Sequence, residues 1–326
     1  MAADPILTLR KGDFAGHANL HGPSTEKNTL ESYVSRLSRR LDALLAAFPG
    51  GLSGSTSSAI GTIVNDAGAS VDVVVPGAAL GDFVLASIEG PTFGCTISAA
   101  VKSADIVTVR VQNETGSSAA IGTVTVNAFV IPLGRASYYG LLGSDTWDPG
   151  SLADGAGESK DVTVAGAALG DFVLVSLGVD AQGLLLGAAV KSANTVTCRL
   201  QNETGGTVDL APSRVRVLVV PASVLDSNGV LAASVTHDFA SLVDAAGESR
   251  DVTVAGAALG DFAIASLSVD GQSMLLTAAV ETDDTVRVRL QNETGGTINL
   301  AEAKLRVAVY KKTGFSVLAA LGIVVK

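Results

Sequence analysis

The side chains able to carry chemistry are scarce in this 326-residue sequence, which holds three histidines, two cysteines and one tryptophan. His17 and His21 stand at the i, i+4 spacing that would set two imidazoles on one helical face for zinc. The intervening Ala18-Asn19-Leu20 lacks the glutamate of a metallohydrolase helix, and Gly16, Gly22 and Pro23 oppose a helix there. No metal ligand set is therefore read from them. His237 aligns with Trp147 and Ser58 in the repeat described below, so it reads as a strand residue that the repeat does not preserve. Asp82, Asp171 and Asp261 recur, but each lacks a second carboxylate at the spacing of an acid/base pair or a calcium loop. They are expected to cap turns.

The remaining motifs also resolve into structure. Gly77-Ala78-Ala79-Leu80-Gly81 and its copies at Gly166 and Gly256 have no following Lys-Ser/Thr and open no long helix, which excludes a phosphate loop. Asn113, Asn202 and Asn292 each begin an Asn-Glu-Thr triplet that fits the glycosylation pattern. The N-terminus MAADPILTLRKGDF has no apolar core behind a basic start, so no secretory signal is read and the triplets are expected to be hairpin turns. Cys95 and Cys198 fall at different repeat positions, occupied elsewhere by Leu184 and Met274, and by Val109 and Val288, and read as core residues instead of a disulfide. With no nucleophile elbow and no paired-cysteine motif, the expectation is no catalytic residue, no metal, no cofactor and no enzyme activity.

Those residues are positioned by a repeat. DVTVAGAALGDF runs from Asp161 to Phe172 and again from Asp251 to Phe262, and a looser copy, DVVVPGAALGDF, from Asp72 to Phe83. QNETG begins at Gln112, Gln201 and Gln291, so both markers recur at intervals of 89 and then 90 residues. A period this long exceeds that of solenoid and propeller units and matches a self-sufficient β domain. The expected fold is all-β: three tandem antiparallel β-sandwich domains, jelly-roll or Ig-like, over 51–135, 136–223 and 224–312.

In the second copy, strands are expected near Trp147–Ala153, Ser159–Val164, Phe172–Leu177, Leu184–Val190, Thr195–Gln201 and Arg214–Val220. Val196, Cys198 and Leu200 alternate with Thr195, Thr197 and Arg199, which predicts one wet face. The continuous apolar run Phe172–Val175 predicts a central strand, covered on both sides or facing a neighbouring subunit. Short connections predict domains strung in fixed orientation, the second and third serving as spacers for reach.

Residues 1–50 read as an arm followed by a short amphipathic helix. Leu30, Val34, Leu37, Leu41, Leu44 and Phe48 follow the 4, 3, 4, 3, 4 spacing of a coiled-coil seam, with Asn28 and Glu31 as a capping box and Pro49-Gly50-Gly51 as the stop. This seam predicts self-association, most simply as a homotrimer, the alternative being an amphipathic helix packed on its own first domain. The apolar tail 313–326 is expected to add to a sheet edge or enter a subunit contact. A net charge of −10 argues against nucleic-acid binding, and no apolar run reaches the length of a membrane helix.

The string D-V-T-V-A-G-A-A-L-G-D-F, followed by N-T-V-T-C-R-L-Q-N-E-T-G-G-T-V-D-L and R-V-R-V, resembles a repeat unit of tailed-bacteriophage virion proteins, among them head-decoration, fibre and tail-appendage components. The resemblance spans the three repeats and omits the first 50 and last dozen residues. It implies a virion structural protein assembled in the host cytoplasm, attached by its N-terminal segment to capsid or neck/tail components as a head decoration or head/neck fibre. A tail fibre or adhesin that binds host glycan is the alternative it implies, which the scarcity of aromatic residues disfavours.

Overall fold

Eighteen strands are laid out as three sets of six in the computed structural model, which describes residues 51–225 and 230–312. The arm, the Leu30 to Phe48 seam, His17, His21 and the tail 313–326 lie outside the described residues. Repeat 1 contains β1 (Leu52–Ile63), β2 (Ala67–Val74), β3 (Phe83–Ile88), β4 (Thr96–Ser103), β5 (Ile106–Asn113) and β6 (Ala119–Ile131). Repeat 2 contains β7 (Leu141–Trp147), β8 (Gly157–Thr163), β9 (Phe172–Leu177), β10 (Leu185–Ser192), β11 (Thr195–Gln201) and β12 (Ser213–Val220). Repeat 3 contains β13 (Leu231–His237), β14 (Gly247–Thr253), β15 (Phe262–Leu267), β16 (Leu275–Thr282), β17 (Thr285–Gln291) and β18 (Ala303–Tyr310).

Each repeat forms two three-stranded antiparallel sheets. In repeat 1 these have the orders β1-β6-β3 and β2-β5-β4, and the other repeats copy them. Alternation dictates the core. Val196, Cys198 and Leu200 of β11 point inward with Val162 and Val164, and meet Val215, Val217 and Val219 of the other sheet. Repeats 1 and 3 enclose equivalent clusters around Val107, Val109 and Val111, and around Val286, Val288 and Leu290.

The first strand of repeat 2 begins and ends earlier than expected, because Asp148-Pro149-Gly150 stops it after Trp147. Only the bridge Leu152↔Val208 continues beyond that point. The run Phe172–Val175 is not central, since β9 is the edge of the sheet β7-β12-β9. Its two faces are covered differently. Val173 and Val175 pack into the core of repeat 2, whereas Phe172 and Leu174 join a cluster drawn from all three repeats.

That shared cluster replaces the string of spacers with a closed arrangement. Phe83, Leu85, Phe129 and Ile131 of repeat 1 pack with Phe172, Leu174, Leu218 and Val220 of repeat 2 and with Phe262 and Ala308 of repeat 3. The rings of Phe129 and Phe262 lie 6.0 Å apart at 49°. The inner strands β3, β9 and β15 touch one another pairwise, and so do β4, β10 and β16. The described residues accordingly form one compact unit in which every repeat borders the other two. Burial of each central phenylalanine supplies about 1.5–3 kcal/mol toward this closure.

Candidate functional site

The two signature strings of the repeat come together at the seams between repeats. In the GAALGD turns the aspartate is a staple: Asp82 Oδ2 accepts the Ala79 N–H at 2.9 Å, and Oδ1 accepts the Leu133 N–H at 2.7 Å. Asp171 does the same for Ala168 and Ala222, and Asp261 for Ala258 and Lys312, with Lys311 Nζ added at 2.8 Å. Each turn is thereby tied to the chain leaving the last strand of its repeat. The opening glycines donate N–H to Asp105 from Gly77, to Asn194 from Gly166 and to Asp284 from Gly256.

The QNETG turns are organised by a buried asparagine. Asn202 is fully buried; its Nδ2 donates to the Leu152 and Gly206 carbonyls at 2.8 and 2.7 Å, and its Oδ1 accepts the Thr204 N–H and Oγ1–H at 3.0 and 2.7 Å. Asn113 and Asn292 repeat all four bonds. The glutamine before it donates Nε2 to the glutamate after it: Gln112 to Glu114, Gln201 to Glu203 and Gln291 to Glu293, at 2.6–2.8 Å.

Both turns offer a backbone carbonyl to a neighbouring repeat. Ser176 of repeat 2 donates Oγ–H to the Gly81 carbonyl of repeat 1 at 2.8 Å, Ser266 of repeat 3 to Gly170 of repeat 2 at 2.8 Å, and Ser87 of repeat 1 to Gly260 of repeat 3 at 2.6 Å. In the opposite sense, Arg110 of repeat 1 donates to the Glu203 carbonyl, Arg199 of repeat 2 to that of Glu293, and Arg289 of repeat 3 to that of Glu114. Each guanidinium also bonds the glutamine of its own strand. Two cyclic sets of bonds therefore run around the molecule in opposite directions and meet at the same three seams.

The wet face expected for β11 is thus buried. Thr197 and Arg199 are each only 8% exposed: Thr197 bonds Asp161 of its own repeat, and Arg199 reaches the next repeat at Glu293. Burial also acts on the three glutamates. It pushes the carboxyls of Glu114 and Glu293 up to about 7 and raises that of Glu203; the glutamine bonds oppose the rise in each, and neighbouring carboxylates add to it.

Other candidates are dispersed. His237 Nε2 meets Glu248 at 2.6 Å, and Trp147 Nε1 donates to Glu158 at 2.9 Å from the equivalent place, so two unlike side chains perform one structural task that alignment alone concealed. Cys95 and Cys198 are buried free thiols in different cores, and burial pushes them up to about 11 and about 12. Where the inner strands converge lies a cavity of about 120 Å³ lined by Leu85, Ile97, Leu174, Leu186, Ile264 and Leu276 among others, smaller than the roughly 300 Å³ at which ligand pockets begin. Among the described residues no group of three His, Cys, Asp or Glu is placed to hold a metal ion, and no helix is long and apolar enough to cross a membrane. No protein-family model, curated protein or solved structure matches this chain. Function must be argued from the seams.

Proposed function

We propose that the chain is a structural component of a bacteriophage virion, a head decoration or head/neck appendage attached by its N-terminal segment, with each repeat a jelly-roll or Ig-like β-sandwich. The observation that supports this most is the cyclic closure of three repeats through their own signature turns. Side chains that recur in every copy are engaged in holding the body together, which fits a scaffold and leaves them unavailable for turnover. A body that presents similar surfaces three times suits a three-fold or local three-fold position on a shell, where one chain meets three equivalent partners. The Leu30 to Phe48 seam would add association between chains, as a homotrimer. Electron microscopy of particles carrying a labelled copy tests the reading: density on the head or neck is expected. Label confined to the tail tip would overturn it in favour of an adhesin that binds host glycan.

A further inference from the structure

The three seams are not chemically alike. Between repeats 1 and 2, Lys102 pairs with Asp72 of its own repeat at 2.7 Å and also feels Asp180 of repeat 2, both raising its pKa. Between repeats 2 and 3 the pattern recurs, with Lys191 on Asp161 at 2.7 Å and Asp270 beyond it. Continuing the series, position 281 of repeat 3 would carry lysine and face an aspartate at position 91 of repeat 1. It carries Glu281 instead, only 6% exposed, and repeat 1 offers Pro91-Thr92-Phe93. Glu281 Oε2 accepts the Thr92 N–H at 2.9 Å and Oγ1–H at 2.7 Å, and Oε1 accepts the Phe93 N–H at 3.1 Å.

The reversal of charge is compensated inside repeat 3. Where repeats 1 and 2 have Thr108 and Thr197 bonded to their aspartates, repeat 3 has Arg287, which holds Asp251 through Nε at 2.7 Å and Glu281 through Nη1 at 2.8 Å. A second departure lies in the same seam. At the other two, Arg216 and Arg306 lie against Gly81 and Gly170; repeat 1 has Asn127 at that position, and Lys312 pairs with Glu89 at 2.7 Å beside Gly260. This is also the one seam that no linker bridges, since repeats 1 and 2, and 2 and 3, are consecutive in the chain.

From this we infer that the seam between repeats 3 and 1 is a keyed latch, with Glu281 as its key, that fixes the ring at three repeats in one cyclic order. Docked on a seam of the other kind, Glu281 would lose the Thr92 and Phe93 donors and stand beside Asp180 or Asp270, a like-charge contact. Lys191 brought against the Thr92 and Phe93 N–H groups would set a cation on donors. Repeat 3 therefore selects repeat 1 over any other edge, which keeps copies crowded on one assembly from exchanging repeats. The Pro91-Thr92-Phe93 turn of repeat 1 serves this closure.

Spin labels on the three equivalent, exposed loop positions Val64, Ala153 and Val243 of the full chain provide the test. They are placed in pairs as cysteines, with Cys95→Leu and Cys198→Val taken from the sister repeats. In the otherwise native chain the 64–153 and 64–243 pairs should give similar narrow distances. Glu281→Lys should abolish the narrow 64–243 peak while 64–153 persists. Glu281→Lys/Arg287→Thr/Pro91→Asp, which rebuilds the chemistry of the other seams, should restore it. A 64–243 peak unchanged by Glu281→Lys would overturn the latch. So would a triple variant that keeps the 64–153 peak without recovering 64–243. Were Glu281→Lys to lose both peaks through misfolding, the triple variant decides alone: both peaks present support the latch, and absence of the 64–243 peak refutes it.

Discussion

Asn202 shows how much one polar side chain carries when it is buried. Its four hydrogen bonds join the turn at Gly206, the chain at Leu152 and the Thr204 group that closes the turn, and its position is mirrored by Asn113 and Asn292. Alanine at 202 would remove all four bonds from a buried turn and leave the Thr204 N–H without its acceptor, so a loss of about 2–4 kcal/mol is expected from urea denaturation. The same change at 113 or 292 should cost a similar amount, because the bonds are the same. The Asn-Glu-Thr triplet was visible in the sequence as a turn. Its glutamate's larger task, offering a main-chain carbonyl to an arginine 93 to 175 residues away, was not. A backbone acceptor leaves no mark on residue type.

At the scale of the element, the GAALGD and QNETG turns both contain glycines that need left-handed backbone, but for unequal reasons. Gly170 has φ +93°, and a Cβ there would collide with the Arg306 guanidinium of the next repeat; Gly205 has φ +84° and open space around it. Gly205→Ala should therefore cost only the backbone strain, about 1 kcal/mol, and Gly170→Ala about 2–3 kcal/mol, because Arg306 must also give way. Thermal melts of the two variants side by side check the difference. Equal costs would mean that the approach of Arg306 contributes nothing. The strands tell a related story. Alternation in β11 correctly placed Val196, Cys198 and Leu200 in the core, yet Thr197 and Arg199 were read as solvent-facing when both are buried, Arg199 against another repeat.

For the whole molecule, the three seam glutamates predict a stability that depends on pH. Glu114 and Glu293 rise from the model-peptide value of 4.5 to about 7, and Glu203 rises as well, burial being the largest cause in each. They are faced by Arg110, Arg199 and Arg289 and by Asp66, Asp154 and Asp244, whose charges partly offset one another. A carboxyl with a raised folded pKa contributes stability that is fully present below its unfolded pKa and is lost as pH climbs through the folded one. The melting temperature should thus fall between about pH 5 and about pH 7, and Glu114→Gln/Glu203→Gln/Glu293→Gln should flatten that fall. In strong acid the trend reverses, since Asp72, Asp161 and Glu89 have lowered pKa values and lose their stabilising ionised form as pH drops.

The sequence by itself determined that the chain is all-β, that its unit recurs at 89 and 90 residues, where most strands and turns lie, and that both cysteines belong to cores. These features depend on side-chain alternation and on turn chemistry within a few neighbours, both of which are written locally. Only the tertiary structure decided that the repeats close on one another instead of extending, that Arg199 is buried, and that Glu281 accepts the Thr92 N–H across the third seam. Those outcomes rest on pairings between residues roughly one or two whole repeats apart. Periodicity along the chain carries no record of them, and a buried arginine or glutamate looks like a solvated one until its partner is in place.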